Sequence, residues 1–326
     1  MANLLVYIEL KDSQATRASL STLNAGRAVA TGLGGTLYAL LPCTSPPSYG
    51  HDDIIAVLAR HGADKVILVT GPELEVPLHA THGEAVRTAC MQLRPRLVLM
   101  PATAPGRDIA PRLAMQIGAR YLADMELRHG DDDFQLSGTT FRRRFRTTES
   151  LRGAGAPLVV TLLASSAPRA LGDDEAEVII LQSPAPEPTG PKVEGRRGTP
   201  RHGDLATARL VIAGGAGLGP EATFVELERL AGALGGAAVA SPTVHEGNPG
   251  GITLPTPGCV SAEVYLAIAV SGSDRHLASV PPSTRVIAVN TDPNAPIMQV
   301  ADQALIADGS ETVTAMLAEL EPSEKE

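Results

Sequence analysis

The chain has 326 residues, 44% hydrophobic and 19% charged, which is enough apolar material for two cored domains of roughly 100–200 residues each. Aromatic residues make up only 3%, with no tryptophan, which argues against a protein that stacks sugars or unpaired bases on rings. Lys and Arg number 27 against 36 Asp and Glu, so at a net charge of -9 neither nucleic acid nor an anionic membrane is an expected partner.

The first residues, Met1-Ala2-Asn3-Leu4, carry no basic segment before their apolar run and no small-residue cleavage pattern follows. They read as a first strand and not as a signal peptide. No run approaches the ~18 apolar residues of a spanning helix, so no membrane insertion is expected. Cys43, Cys90 and Cys259 form neither a CxxC pair nor a zinc spacing. Three scattered thiols read as reduced and the protein as cytoplasmic.

Strand-length apolar runs alternate with helix-period segments. The pattern predicts strands at 4–8, 36–41, 65–69 and 97–100, with helices over 15–31, 52–61, 79–93 and 108–117. Gly32-Leu33-Gly34-Gly35 ends the first helix, since glycine tolerates the left-handed cap. This alternation predicts a mostly parallel sheet flanked by helices. Residues 134–145 break the pattern as a β-hairpin bearing Arg142-Arg143-Arg144, either an anion or acidic-partner site or a charged, solvated sheet edge. Residues 157–163 supply a further strand. The stretch 183–203, with Pro184, Pro186, Pro188, Pro191 and Pro200, reads as a linker that closes an N-terminal α/β domain of residues 1–203.

A second alternating unit fills 204–326: strands at 209–213, 237–240, 264–270, 285–289 and 303–307, helices over 221–234 and 311–320. It has the size and pattern of a doubly wound, Rossmann-like nucleotide-binding unit. Gly214-Gly215-Ala216-Gly217-Leu218-Gly219 follows its first strand and opens a helix. Such a loop either cradles a phosphate on backbone N–H groups or is simply a tight strand–helix turn; the spacing is not a strict GxGxxG. Ser271-Gly272-Ser273-Asp274-Arg275-His276, Asn290 with the residues after it, and Asp308-Gly309 all fall where strand carboxyl ends gather and ligands bind. No catalytic triad or metal cluster stands out.

The run from Val211 to Asp308 resembles the FAD-binding domain of the electron-transferring flavoprotein alpha subunit. The residues that carry the resemblance are Ala213-Gly214-Gly215-Ala216-Gly217-Leu218, Glu263-Val264-Tyr265 leading to Ser271–His276, and Asn290-Thr291-Asp292-Pro293-Asn294-Ala295-Pro296-Ile297. Thr103-Ala104-Pro105-Gly106-Arg107-Asp108 extends it into the first domain. The resemblance implies a carrier of electrons rather than an enzyme with its own substrate. It implies a heterodimer with a beta subunit, whose own cofactor, AMP or another, the sequence leaves open, together with a donor dehydrogenase and an electron acceptor. The chemistry would then belong to FAD, with the protein supplying position and field.

By the same resemblance, Gly214, Gly215 and Gly217 line the cofactor's phosphates, Ser241 approaches the flavin, and Ser271, Gly272, Ser273, Asp274, Arg275 and His276 wrap it. His276 donates to the pyrimidine edge of the ring, while Asn290, Asp308 and Gly309 hold the adenosine end. A turn corresponding to Thr256-Pro257-Gly258 sits near the ring, with Thr256 and Gly258 in contact. Three positions depart from the family pattern: Ala216 and Pro242 stand where arginines are expected, and Pro257 where a threonine hydroxyl is expected. Three readings follow. FAD is bound and tuned differently; or the site has lost FAD or holds another adenine nucleotide; or the subunit is a scaffold of a redox complex.

Overall fold

Thr16 and Thr103 show how the sequence sets its helices. The computed structural model describes residues 3–11, 13–44, 54–129, 134–140, 145–151, 157–163, 175–182, 205, 208–218, 221–240, 260, 262–277, 279–280 and 284–320. Thr16 caps α1 (Arg17–Leu33) by accepting a bond from the Ser19 N–H, and Gly34 ends it in the left-handed conformation, φ 61°. Thr103 likewise caps the helix Ala104–Ile117, with Pro105 in its first turn, where a missing N–H costs nothing. That helix therefore starts four residues before the expected 108.

The chain forms two compact units, Met1–Arg196 and Arg197–Glu326. In the first, β1 (Asn3–Tyr7) is followed by a short ribbon, β2 (Leu10–Lys11) with β3 (Gln14–Ala15), then α1, β4 (Thr36–Cys43), α2 (Ile54–Arg60), β5 (Lys65–Thr70), α3 (Glu84–Leu93), β6 (Leu97–Pro101) and α4 (Ala104–Ile117). β7 (Arg120–His129), β8 (Phe134–Thr140), β9 (Phe145–Ser150), β10 (Leu158–Leu162) and β11 (Glu177–Gln182) complete it. Nine strands order as β11-β5-β4-β1-β6-β10-β7-β8-β9. The pairs from β11 to β7 are parallel, while β8 and β9 add antiparallel as the expected hairpin. Arg142, Arg143 and Arg144 lie outside the described residues.

Both faces of this sheet are covered. Leu4 and Val6 of β1 join one apolar cluster, and Leu5 and Tyr7 join the other. That double burial is what a parallel strand's continuous apolar run requires. The expected helix 79–93 instead begins with one wide π turn, His79–Gly83, before α3. β7 and β11 add to the expected strands, and of the two only β7 lacks a continuous apolar run. β7 carries a left-handed Asp124, φ 52°, where its register against β10 shifts. β11 alternates exposed residues at a sheet edge. Cys43 and Cys90 are free buried thiols, and burial pushes the Cys90 thiol up to about 12.

The second unit contains β12 (Leu210–Gly214), α5 (Glu221–Ala233), β13 (Ala237–Ala240), β14 (Val264–Ile268), α6 (Asp274–Leu277), β15 (Arg285–Asn290), α7 (Pro296–Val300), β16 (Gln303–Ile306) and α8 (Gly309–Leu320). All five strands are parallel, in the order β13-β12-β14-β15-β16. The chain thus steps from β12 to one side and returns to continue on the other. The order reverses between β12 and β14, where a parallel sheet opens a crevice at its carboxyl ends. The core is narrow: Val211, Ala213, Tyr265 and Ala267 pack on one face, Ile212, Leu266 and Ile268 on the other. The stretch 183–203 lies outside the described residues. Among the described residues, no helix is long and apolar enough to cross a membrane.

One buried acid ties the first unit together. Glu9, 7% exposed just after β1, accepts a hydrogen bond from Thr103 Oγ1 at the head of α4. Burial pushes its carboxyl up to about 7, against the opposing pull of that bond and of the Gly106 backbone. A carboxyl that holds its proton more tightly when folded stabilises the fold fully below about 4.5 and loses that contribution as pH rises through 7. Glu9→Gln keeps the neutral shape at every pH. In urea unfolding, the variant should gain on the wild type by about 3 kcal/mol between pH 4.5 and 8. A difference that stays flat with pH contradicts this assignment.

Candidate functional site

Three loops of the second unit converge on Ala269, the residue after β14. Ala269 is held in the left-handed region, φ 55°, and its N–H bonds the Val289 carbonyl at 2.8 Å. The loop after β12 crosses directly over it. Gly215 donates to the Ile268 carbonyl at 2.9 Å, and a β-carbon at Gly215 would lie 1.9 Å from the Ala269 carbonyl oxygen. No side chain fits there, so glycine is required for close backbone approach. β-Carbons at Gly217 and Gly309 would stand 3.1 and 3.0 Å from the Ala269 methyl. Ser310 at the head of α8 donates to the Leu218 carbonyl at 3.1 Å, closing the third side.

Past Ala269 the chain turns again at Gly272, φ 78°, where a β-carbon would lie 2.5 Å from the Ile297 nitrogen. The Ile297 N–H bonds the Ser271 carbonyl at 3.1 Å, so the loops after β14 and β15 are stitched together. Asn290 adds a second stitch. Its amide donates to the Val270 carbonyl at 2.8 Å, and its oxygen accepts from the Asp292 N–H at 3.0 Å. Asp308 accepts from the Ser310 and Glu311 N–H groups at 2.9 and 3.0 Å and so caps α8. Ser271, Ser273 and Asp274 remain exposed on the rim, as do Ala216 and Gly217.

His276, on the single turn of α6, is turned inward and only 2% exposed. Its Nε2 lies 2.8 Å from the Tyr265 hydroxyl, with the rings edge to face at 5.9 Å. Its Nδ1 is buried and has no hydrogen-bond partner among the described residues. Burial lowers its pKa to about 4, so the ring is neutral at physiological pH. A buried ring nitrogen left unmet costs about 1–3 kcal/mol, which a ligand atom of the right polarity would recover.

The structure thus gathers Gly214, Gly215, Gly217, Ser271, Gly272, Ser273, Asp274, Arg275, His276, Asn290, Asp308 and Gly309 at the carboxyl end of one sheet. Asn290 and Asp308 have their side chains engaged in shaping loops. The Arg275 side chain, and Ser241, Pro242, Thr256, Pro257 and Gly258, lie outside the described residues. Ala216 stands exposed on the turn Ala216–Leu218, so no positive side chain projects from that position. Sequence reasoning assigned no role to Tyr265. The available signal was a lone tyrosine inside a short aliphatic strand of a chain with five tyrosines. In the first unit, the expected motif builds its own anchor: Gly106 donates to Thr103 Oγ1 at 3.2 Å, and Arg107 Nε bonds both Asp124 oxygens at 2.9 and 3.2 Å.

Comparison with known proteins agrees with this arrangement. Residues 4–186 match the electron transfer flavoprotein domain, and residues 204–281 match the electron transfer flavoprotein FAD-binding domain. The chain is 26% identical to the electron transfer flavoprotein subunit alpha of Clostridium acetobutylicum, over 97% of this chain and 96% of the other. It is 28% identical to the subunit of the same name from Mycobacterium leprae, over 94% and 95%. It is also 28% identical to Protein FixB of Rhizobium meliloti, over 94% and 89%. The buried, unmet His276 nitrogen and the glycine-lined loops fit a cofactor of the FAD class, whose ring and phosphates offer carbonyl and anionic oxygens. The chain belongs to the electron transfer flavoprotein alpha-subunit family, and its second unit carries that family's FAD-binding domain.

Proposed function

We propose that this chain is the alpha subunit of a heterodimeric electron carrier. Its second unit, from about residue 204, is a doubly wound, Rossmann-like domain that holds FAD across the crevice between the ends of β12 and β14. A beta subunit completes the site. Electrons arrive from a flavin-dependent dehydrogenase and leave to a downstream acceptor such as a quinone oxidoreductase. When bound, FAD supplies the redox chemistry, taking up and releasing electrons one at a time. The chain's own residues position it and set its field. The observation that carries this reading is the buried, unpartnered Nδ1 of His276 in the loop beside the strand-order reversal.

In this reading the backbone of Gly214, Gly215 and Gly217 receives the phosphates, and Ser271–His276 wrap the cofactor. Ser241, Thr256 and Gly258 contribute from the neighbouring loops. Asn290, Asp308 and Gly309 act by fixing the loop shapes on the adenosine side. His276 donates from a neutral ring to the pyrimidine edge of the flavin, which favours negative charge there. Two free buried thiols suit a reducing compartment, the cytoplasm. A second reading has one observation in its favour. Ala216 is exposed where the family pattern calls for arginine, which would suit a subunit that holds an adenine nucleotide without flavin.

The two readings separate on a denatured extract of the complex purified with its beta subunit. FAD released from the alpha subunit supports the carrier; AMP or ADP without flavin supports the second reading and removes the first. A residue-level outcome follows as well. His276→Ala should lower the flavin reduction potential and loosen the reduced cofactor by roughly tenfold or more, with the fold intact by circular dichroism. An unchanged redox titration takes His276 away from the ring.

A further inference from the structure

Two buried tyrosine–histidine pairs, one in each unit, differ by a single hydrogen bond. In the first unit, the Tyr7 hydroxyl lies 2.7 Å from His82 Nδ1, and His82 Nε2 lies 2.9 Å from the Leu74 carbonyl oxygen. A carbonyl only accepts, so His82 carries its proton on Nε2 and Tyr7 donates to Nδ1. Every polar atom of that pair is met. In the second unit the rings adopt nearly the same edge-to-face pose, 71° at 5.9 Å against 78° at 5.8 Å. There the Tyr265 hydroxyl faces Nε2 at 2.8 Å, and the remaining nitrogen, Nδ1, faces no partner among the described residues.

Counting unmet groups decides the tautomer. If Tyr265 donates to Nε2, the pair leaves one buried group unsatisfied, the Nδ1–H. If Nε2–H donates to Tyr265, two are left: the tyrosine O–H and the Nδ1 lone pair. Tyr265 is fully buried and His276 is 2% exposed, so water relieves neither case. At about 1–3 kcal/mol per unmet buried group, the first arrangement is preferred.

We infer that Tyr265 is a positioning residue. Its hydroxyl donates to His276 Nε2 and holds the imidazole as the Nδ1–H tautomer, which reserves that N–H for a carbonyl or anionic oxygen of the bound cofactor. The ring then presents a fixed donor and rejects a donor group at the same place. This rests on the assignment of the loop to FAD. It goes further by naming the atom that donates, the tautomer, and the residue that sets both. The first-unit pair, closed on Leu74, has no donor to offer and is structural.

The test is nitrogen-15 NMR of histidine-labelled full chain, purified with its beta subunit, with and without FAD. Without FAD, His276 should show a protonated Nδ1 and a bare Nε2. Added FAD should shift the Nδ1–H proton downfield. Tyr265→Phe should mix the tautomers and raise the FAD dissociation constant about tenfold. Tyr7→Phe, which removes the matching hydroxyl in the first unit, should leave FAD dissociation unchanged. A wild-type His276 protonated on Nε2 overturns the inference, as does a Tyr265→Phe chain that keeps a pure Nδ1–H ring. These results are distinct from failure of the cofactor assignment, in which the Nδ1–H ring persists but FAD neither binds nor moves its signal.

Discussion

The carboxyl-end loops of the second unit depend on the close approach of three backbones around Ala269. A residue with a side chain is held there in the left-handed region, at a cost of about 1 kcal/mol. It is retained because the loops over it are cut to fit. Gly215 touches its carbonyl group, while Gly217 and Gly309 stand against its methyl. The corner turns the chain from β14 toward Ser271, and Gly272 turns it a second time against Ile297. The head of α8 is fixed against the same corner, through Gly309 on the Ala269 methyl and Ser310 on the Leu218 carbonyl.

The electrostatic character of the His276–Tyr265 pair follows from burial. His276 is neutral, and its partner Tyr265 is also kept uncharged by burial. At the described positions the rim offers serine hydroxyls, backbone and Asp274, and Ala216 adds no cation. In the proposed carrier, the His276 Nδ1–H is one aimed donor to the flavin. It acts strongly because His276 is almost fully buried. A chain poor in aromatic rings is then no handicap: the reactive ring comes from the cofactor, and small aliphatic residues such as Ala213, Ala267 and Ala288 let strands and loops close tightly around the crevice.

Much of this was legible in the sequence, for physical reasons that can be named. Parallel strands buried on both faces read as continuous apolar runs, so β1, β4, β5, β6, β12, β13 and β14 stand out, while β15 and the exposed edge strand β16 are legible from their apolar residues alone. The glycine loop and Ser271–His276 were legible because they follow such runs directly. β7 was hidden because a bulge at Asp124 breaks its alternation and charges dot its length. β11 carries an unbroken apolar run, Val178-Ile179-Ile180-Leu181, that reads as a strand although it lies at an exposed edge beside the proline-rich stretch. The early start of α4 lay in Thr103 and Pro105, a cap signal stronger than the apolar period that follows. The roles of Asn290 and Asp308 as loop fasteners were not legible, because a carboxylate or amide reads the same whether it faces ligand or backbone. Tyr265 was hidden for the opposite reason. It sits among core residues, and only its distance to His276 separates a packing aromatic from a positioning one.

The central claim is that His276 presents Nδ1–H to the flavin from the carboxyl end of β14. A crystal structure of the chain with its beta subunit and FAD tests this most directly. A pyrimidine-edge carbonyl oxygen of the flavin should lie within hydrogen-bond distance of His276 Nδ1, with Nε2 still on the Tyr265 hydroxyl. A flavin seated elsewhere, or a His276 ring turned so that Nε2 meets the cofactor, would contradict it.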